Sequence, residues 1–281
     1  MSGRPRVVVS WSSGKDAAWA LYELQRGAEV DVVGLVTSVV PEFGRVSMHG
    51  VRAELARMQA AAAGLPLAEV PLPWPCSNEV YEERTLDALE RLRRDRAVTH
   101  VAFGDLFLED VRAYRERLLS GSGLAPLFPL WGRDTTALLA ELLRAGVRAH
   151  IVCLDPARLP RELAGRPIDA SLAARLPADV DRCGERGEFH TFVSAGPMFA
   201  RAIAVRAGPV IERDGFVYAD LLPVAHDEPN GTTPCRGTCR LGPDDVCDGC
   251  GRTIAEVVAW LALTPDERSR VCARVAAWRP R

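Results

Sequence analysis

The segment Ser10-Trp11-Ser12-Ser13-Gly14-Lys15-Asp16 follows a short apolar run, Val7–Val9, and opens a stretch with helical periodicity. A Ser/Gly loop between a buried strand and a helix start presents backbone N–H groups. With the helix dipole, those groups favour bound phosphate. Ser12 and Ser13 add hydroxyl donors, Gly14 lets the backbone approach, and Lys15 adds a positive charge that is expected to stand exposed on the loop. Asp16 would repel phosphate, so it suits a helix N-cap or a Mg²⁺ ligand. The loop carries neither GxxxxGK(S/T) nor GxGxxG. Taken alone, an ordinary Ser-rich turn with a solvated lysine explains it as well.

A second cluster lies at Asp181-Arg182-Cys183-Gly184-Glu185-Arg186-Gly187-Glu188-Phe189-His190-Thr191. Glu185, Glu188, His190 and Thr191 beside turn-permitting glycines could bind Mg²⁺, hold a cationic substrate or move a proton. The competing reading is a charged surface turn leading into a strand.

The third cluster is Cys235-x3-Cys239-x7-Cys247-x2-Cys250, half of the chain's eight cysteines. The Pro- and Gly-rich segment around it has little apolar surface to bury. A metal held by four thiolates replaces such a core. Zn²⁺ and an iron–sulfur cluster both accept this ligand set, and zinc is favoured because a closed structural site needs no redox partner. Disulfides are the alternative, disfavoured in the cytosol. Thr253/Glu256 and Thr264/Glu267 read as capping boxes of two helices that pack on this site and present Trp260 and Trp278 to a partner or to the rest of the chain.

The elements that must position these residues alternate. Strands are expected at Val7–Val9, Val30–Val36, Leu67–Leu72, Val98–Phe103 and Ala149–Leu154. Helices are expected from Asp16 to a stop at Gly27, over Val51–Ala63, from Ser77 or Asn78 to about Arg96, over Glu109–Leu119, and from an Asp134 cap to Gly146. Such alternation implies an α/β fold with a parallel sheet covered on both faces and its ligand at the carboxyl ends of the strands. Gly104 and Asp105 end the fourth strand, where nucleotide or metal should lie. Asp214-Gly215 predicts a type I′ hairpin between Pro209–Arg213 and Phe216–Tyr218.

The chain has 281 residues, 48% of them hydrophobic, and a formal net charge of −2. That charge disfavours a nucleic-acid partner. No apolar run reaches the roughly 20 residues of a membrane span, and Val7–Val9 is too short for a signal-peptide core. A cytoplasmic protein with no membrane partner is expected; oligomeric state is not legible.

Ser12–Ala17 resembles the SGGKDS loop of the N-type ATP pyrophosphatases, departing at Ser13 and Ala17. Glu185–Thr191 resembles the E-G-G-E-F-(E/H)-T signature of the diphthine–ammonia ligase family, with Arg186 in place of a Gly. His49-Gly50, Gly104-Asp105, Pro129-Leu130-Trp131 and Gly196–Phe199 are further family-like pieces, so the resemblance covers about residues 5–224. It implies a Rossmann-like PP-loop fold (adenine nucleotide alpha hydrolase-like) over residues 1–132, which binds ATP. A smaller substrate domain over 133–225, a linker over 226–233 and the Cys-rich helical metal module over 234–281 would follow. It also implies ATP and Mg²⁺ as cofactors, and an ATP-dependent ligase that adenylates a carboxylate and transfers ammonia or an amine. The carboxylate belongs to a protein or a small molecule. Pyrophosphate then falls to Ser12, Ser13, Gly14 and Lys15, the rest of the nucleotide and metal site to Asp16, Gly104 and Asp105, and catalysis to Lys15, Glu185, Glu188 and His190. The alternatives are a PP-loop adenylating enzyme acting on another metabolite, protein or tRNA, and a nucleotide-binding regulator without turnover.

Overall fold

The computed structural model describes residues 3–224, 234–235, 242, 244–260, 263–276 and 278. The chain forms two compact units, residues 1–223 and 224–281.

In the first unit the strands are β1 (Arg6–Ser10), β2 (Asp31–Val40), β3 (Arg45–Val46), β4 (Leu67–Pro71), β5 (His100–Ala102), β6 (Ala125–Leu127), β7 (Arg148–Leu154), β8 (Phe189–Ala195), β9 (Val205–Arg213) and β10 (Phe216–Pro223). The helices are α1 (Lys15–Gly27), α2 (Ala53–Ala63), α3 (Asn78–Arg96), α4 (Glu109–Leu119), α5 (Thr135–Arg144) and α6 (Ala170–Arg175). The second unit holds α7 (Ile254–Ala259) and α8 (Pro265–Val275).

The first sheet runs β3-β2-β1-β5-β6, with β4 also on β2. Every pairing in it is parallel except that of β2 with the short β3. Both faces are covered, as the continuous apolar strands require. Val7, Val9 and Leu35 face one way and pack in a cluster with Ala18 and Leu21 of α1 and Leu55 and Ala56 of α2. Val8, Val36 and Val70 face the other way and meet Ala88 and Leu89 of α3 and Leu119 of α4.

Local signals set the helix ends. Ser77 and Asp134 cap α3 and α5 by accepting from Val80 and Ala137 N–H groups. Gly64 ends α2 with φ +69°. Gly27 is the last residue of α1, and the left-handed cap falls instead on Ala28.

The expectation that Ala149–Leu154 belongs to the parallel sheet is corrected. β7 lies in a second, antiparallel sheet of order β8-β7-β10-β9. The strand that takes the parallel edge is β6, whose three residues, Ala-Pro-Leu, are too few to show periodicity. The expected hairpin forms and is longer than the signal: β9 and β10 pair across Asp214 (φ +53°) and Gly215 (φ +81°), as a type I′ turn needs. A single apolar cluster runs from β1 and α1 to Ile151, Phe192 and Val217 of the second sheet.

In the second unit both capping boxes form, at Thr253/Glu256 and Thr264/Glu267. No helix among the described residues is long and apolar enough to cross a membrane.

Candidate active site

At the carboxyl ends of β1, β2, β4 and β5 lies a cavity of about 440 Å³. Ser12, Lys15, Asp16, Gly104, Asp105, Glu185 and His190 all line it. The two clusters separated by some 170 residues of sequence therefore share one cavity.

The turn after β1 is tightly determined. Ser13, where the resembling loops carry glycine, is fully buried and has φ +71°, the left-handed conformation that favours glycine. For serine this conformation costs about 1–2 kcal/mol. Its carbonyl accepts from the Val193 N–H at 3.0 Å and from Gln59 Nε2 at 3.0 Å. Its own hydroxyl has no hydrogen-bond partner among the described residues. Gly14 is the N-cap of α1, so Asp16 is not; Asp16 sits in the first turn. The Lys15 N–H donates to Thr191 Oγ1 at 3.0 Å.

Gly104 is required by close approach. A Cβ there would lie 2.8 Å from both the Ala17 nitrogen and the Asp16 carbonyl carbon. The end of β5 thus passes directly against the first turn of α1.

Lys15 does not stand exposed, which corrects the sequence expectation. Its side chain is 2% exposed, and Nζ donates to Asp16 Oδ2 at 2.8 Å and to the Cys183 carbonyl. The second cluster folds over the loop and covers the lysine, a contact that local sequence does not encode. Burial alone would lower the Lys15 ammonium, but Asp16, Cys183 and Glu185 raise it above its ordinary value. Asp16 Oδ1 is buried with no partner among the described residues.

Glu185 and Glu188 part company. Glu185 lines the cavity and accepts from the Leu106 N–H at 2.7 Å. Burial, with Asp16 and Asp105 adding, outweighs that hydrogen bond and pushes its carboxyl up to about 7. Glu188 is buried and off the cavity wall. Its two oxygens accept from the Asp181 and Arg186 N–H groups at 2.9 and 3.0 Å, which closes the turn that carries Glu185. Arg186, the departure from the resembling signature, reaches away over the Phe107 ring. Burial also raises Asp105, against the pull of Arg115 at 3.5 Å.

His190 stacks on His49 with ring centroids 4.5 Å apart. Burial, and then Lys15, push His190 down to about 4; burial and the neighbouring His190 hold His49 well below its ordinary range. Both imidazoles are neutral at pH 7. His49 entered the sequence reading as part of a family-like pair and gained no role there. Gln59 was missed altogether; its signal is a lone amide on the buried, Ala-rich face of α2.

Cys247 and Cys250 are buried, and Cys235 is half-buried. Cys239 lies outside the described residues. The Cys247 N–H donates to the Arg252 carbonyl and the Gly251 N–H to the Cys247 carbonyl, each at 2.8 Å, which curls the CxxC segment into a tight turn. Arg252 Nε donates to Cys250 Sγ at 3.4 Å and its guanidinium lies over the Trp260 ring. Trp278 donates to the Asp248 carbonyl. Among the described residues no three His, Cys, Asp or Glu side chains gather as a metal site.

A parallel-dominant sheet with a Ser/Gly/Lys loop at its carboxyl edge defines an α/β protein of the PP-loop, Rossmann-like class. Comparison with known families is consistent with this. The family described as Diphthamide synthase N-terminal domain matches residues 5–126, and that described as Diphthamide synthase C-terminal domain matches 134–218. The chain belongs to the diphthamide synthase family. Residues 233–279 match a protein of unknown function, DUF1289. Similar proteins named diphthine–ammonia ligase come from Danio rerio (29% identical over 76% of this chain and 91% of the relative), Bos taurus (26%, 56% and 59%) and Homo sapiens (25%, 54% and 57%). The chain thus spans under two thirds of the length of the cattle and human relatives.

Proposed function

We propose that this protein is an ATP-dependent, AMP-forming ligase that joins ammonia or an amine to a carboxylate, acting as its relatives' name describes on diphthine or on a related carboxylate. The observation that carries the reading is the convergence of the phosphate loop and the Glu185–Thr191 segment on one cavity. Its volume lies within the range of small-molecule sites.

A carboxylate is a poor electrophile. In the proposed reaction its oxygen attacks the α-phosphorus of ATP, the bond to the β-phosphate breaks, and pyrophosphate leaves. Ser12 and Lys15, on the cavity wall, hold the departing phosphates, and Ser13 and Gly14, buried behind them, shape the loop, so that fixed donors offset the developing charge. Ammonia then attacks the carbonyl carbon of the mixed anhydride, and AMP leaves. Glu185, on the cavity wall near Lys15 and Asp16, positions the substrate. His190, neutral at pH 7 and stacked on His49, accepts a hydrogen bond from the incoming ammonia and orients it, and the proton that the adduct loses passes to solvent. Glu188 supports this arrangement through the turn it closes.

Asp16 and Asp105 suit Mg²⁺: Asp16 Oδ1 is a buried carboxylate oxygen without a partner among the described residues, and Mg²⁺ commonly takes one or two carboxylates with substrate phosphates. When bound, the ion adds positive charge beside pyrophosphate. In the C-terminal unit, Cys235, Cys239, Cys247 and Cys250 are proposed to hold Zn²⁺, or an iron–sulfur cluster, as a structural group; the buried CxxC turn supports this. Cytoplasmic residence remains part of the proposal.

Adenylate trapping tests the reaction. The protein is incubated with α-labelled ATP, Mg²⁺ and a diphthine-bearing acceptor, with ammonium replaced by hydroxylamine. Label in AMP with a hydroxamate on the acceptor supports the reading. Release of γ-phosphate alone contradicts it.

A further inference from the structure

The amide of Gln59, on α2, is fully buried beneath the phosphate loop. Its Oε1 accepts from Trp11 Nε1 at 2.9 Å, and its Nε2 donates to the Ser13 carbonyl at 3.0 Å and the Val193 carbonyl at 2.7 Å. This orientation has no alternative. The indole N–H only donates and the two carbonyls only accept, so a flipped amide would lose all three bonds. Gln59 thereby grips the loop on both sides of Ser12 and ties it to β8, the strand that carries His190 and Thr191.

Ser13 needs such a grip. It occupies a left-handed conformation with no hydrogen bond from its own hydroxyl among the described residues to hold it there. Its carbonyl, pinned by Gln59 and by the Val193 N–H, fixes the plane of the peptide to Gly14 and so the entry into α1. We propose that Gln59 is a positioning residue: it holds Ser13 in the conformation that a glycine at this place would adopt unaided. The sequence tolerates serine in the loop because α2 supplies the amide. The inference rests on reading the loop as an ATP site for its ligand test only.

A double-mutant cycle separates this role from a general contribution to the core. Wild type, Gln59→Met, Ser13→Gly and the double variant are titrated with ATP and Mg²⁺ by calorimetry and unfolded in urea. Gln59→Met should weaken ATP by about tenfold or more beside the native serine, since displaced phosphate donors act steeply with distance. In the Ser13→Gly background the same change should weaken it by less than about threefold, because the two residues act on one conformation. The drop in urea midpoint caused by Gln59→Met should likewise shrink by at least about half in that background. Equal losses in both backgrounds, or no loss in either, would overturn the proposal. If Gln59→Met does not fold, Gln59→Glu, which keeps the acceptor for Trp11 and removes the donors, takes its place in the cycle. Failure of the wild type to bind ATP would count against the ATP reading and leave the urea cycle to decide the role of Gln59.

Discussion

The Lys15 N–H donates to Thr191 Oγ1 at 3.0 Å, a hydrogen bond across 176 residues of chain. The first turn of α1 is completed by β8 rather than by its own loop. An N-terminal helix N–H that would otherwise be left unsatisfied in a buried place receives its partner from the second signature. Thr191→Val keeps the shape and removes the acceptor. It should lower stability by about 1–3 kcal/mol, the usual cost of an unsatisfied buried donor. ATP affinity should fall with it, because the loop shifts. Urea unfolding and calorimetry on the same variant check both parts.

Lys15→Met should do more than weaken ATP. The ammonium is buried between Asp16 and the Cys183 carbonyl, and its removal leaves both without their donor. Because the Asp16 side chain is a quarter exposed, the loss should be moderated to about 1–3 kcal/mol. A variant with unchanged urea midpoint would show that Lys15 stands free of these partners in solution.

Glu185 gives the stability a pH dependence. Its carboxyl is pushed up to about 7 in the folded protein, from an ordinary value of 4.5. The folded state therefore binds this proton more tightly than the unfolded state. Its contribution is fully present below about pH 4.5 and is lost as pH rises to about 7. Glu185→Gln keeps an oxygen to accept from Leu106 N–H and cannot ionise. The stability of this variant minus that of wild type should grow between those pH values and level off above them. A difference that stays flat would place Glu185 in open water.

The C-terminal unit should lose its fold with its metal. Elemental analysis of anaerobically purified protein is expected to give about one equivalent of zinc, or about two or four of iron with inorganic sulfide if a cluster is held, bound by four thiolates. Cys247→Ser should reduce this sharply and leave the urea transition of residues 1–223 in place. Full-length protein without metal, with its four cysteines reactive toward a thiol reagent, would rule the site out.

The alternation of Val-rich strands with capped helices was enough to place β1, β2, β4, β5 and α1 to α5, because their signals are local: Ser77, Asp134, Gly64 and the Asp214-Gly215 turn each act within a few residues. What stayed hidden is carried by distant partners. β7 has the apolar run of a parallel strand, yet β8 and β10 claim it. Lys15 looks like a loop lysine until Cys183 arrives to cover it. Glu185 and Glu188 look equivalent in sequence, and only the backbone around them separates a cavity carboxylate from a turn-closing one. Gln59 reads as one polar residue among alanines.

The position at which ATP is cut decides the reaction class. The purified protein, incubated with ATP, Mg²⁺, ammonium and a diphthine-bearing acceptor, is sampled over time and its nucleotides are separated by chromatography. An AMP-forming ligase should release AMP and pyrophosphate together in equal amounts, with both lost in the Lys15→Met variant. ADP and orthophosphate as the products would rule out cleavage between the α and β phosphates.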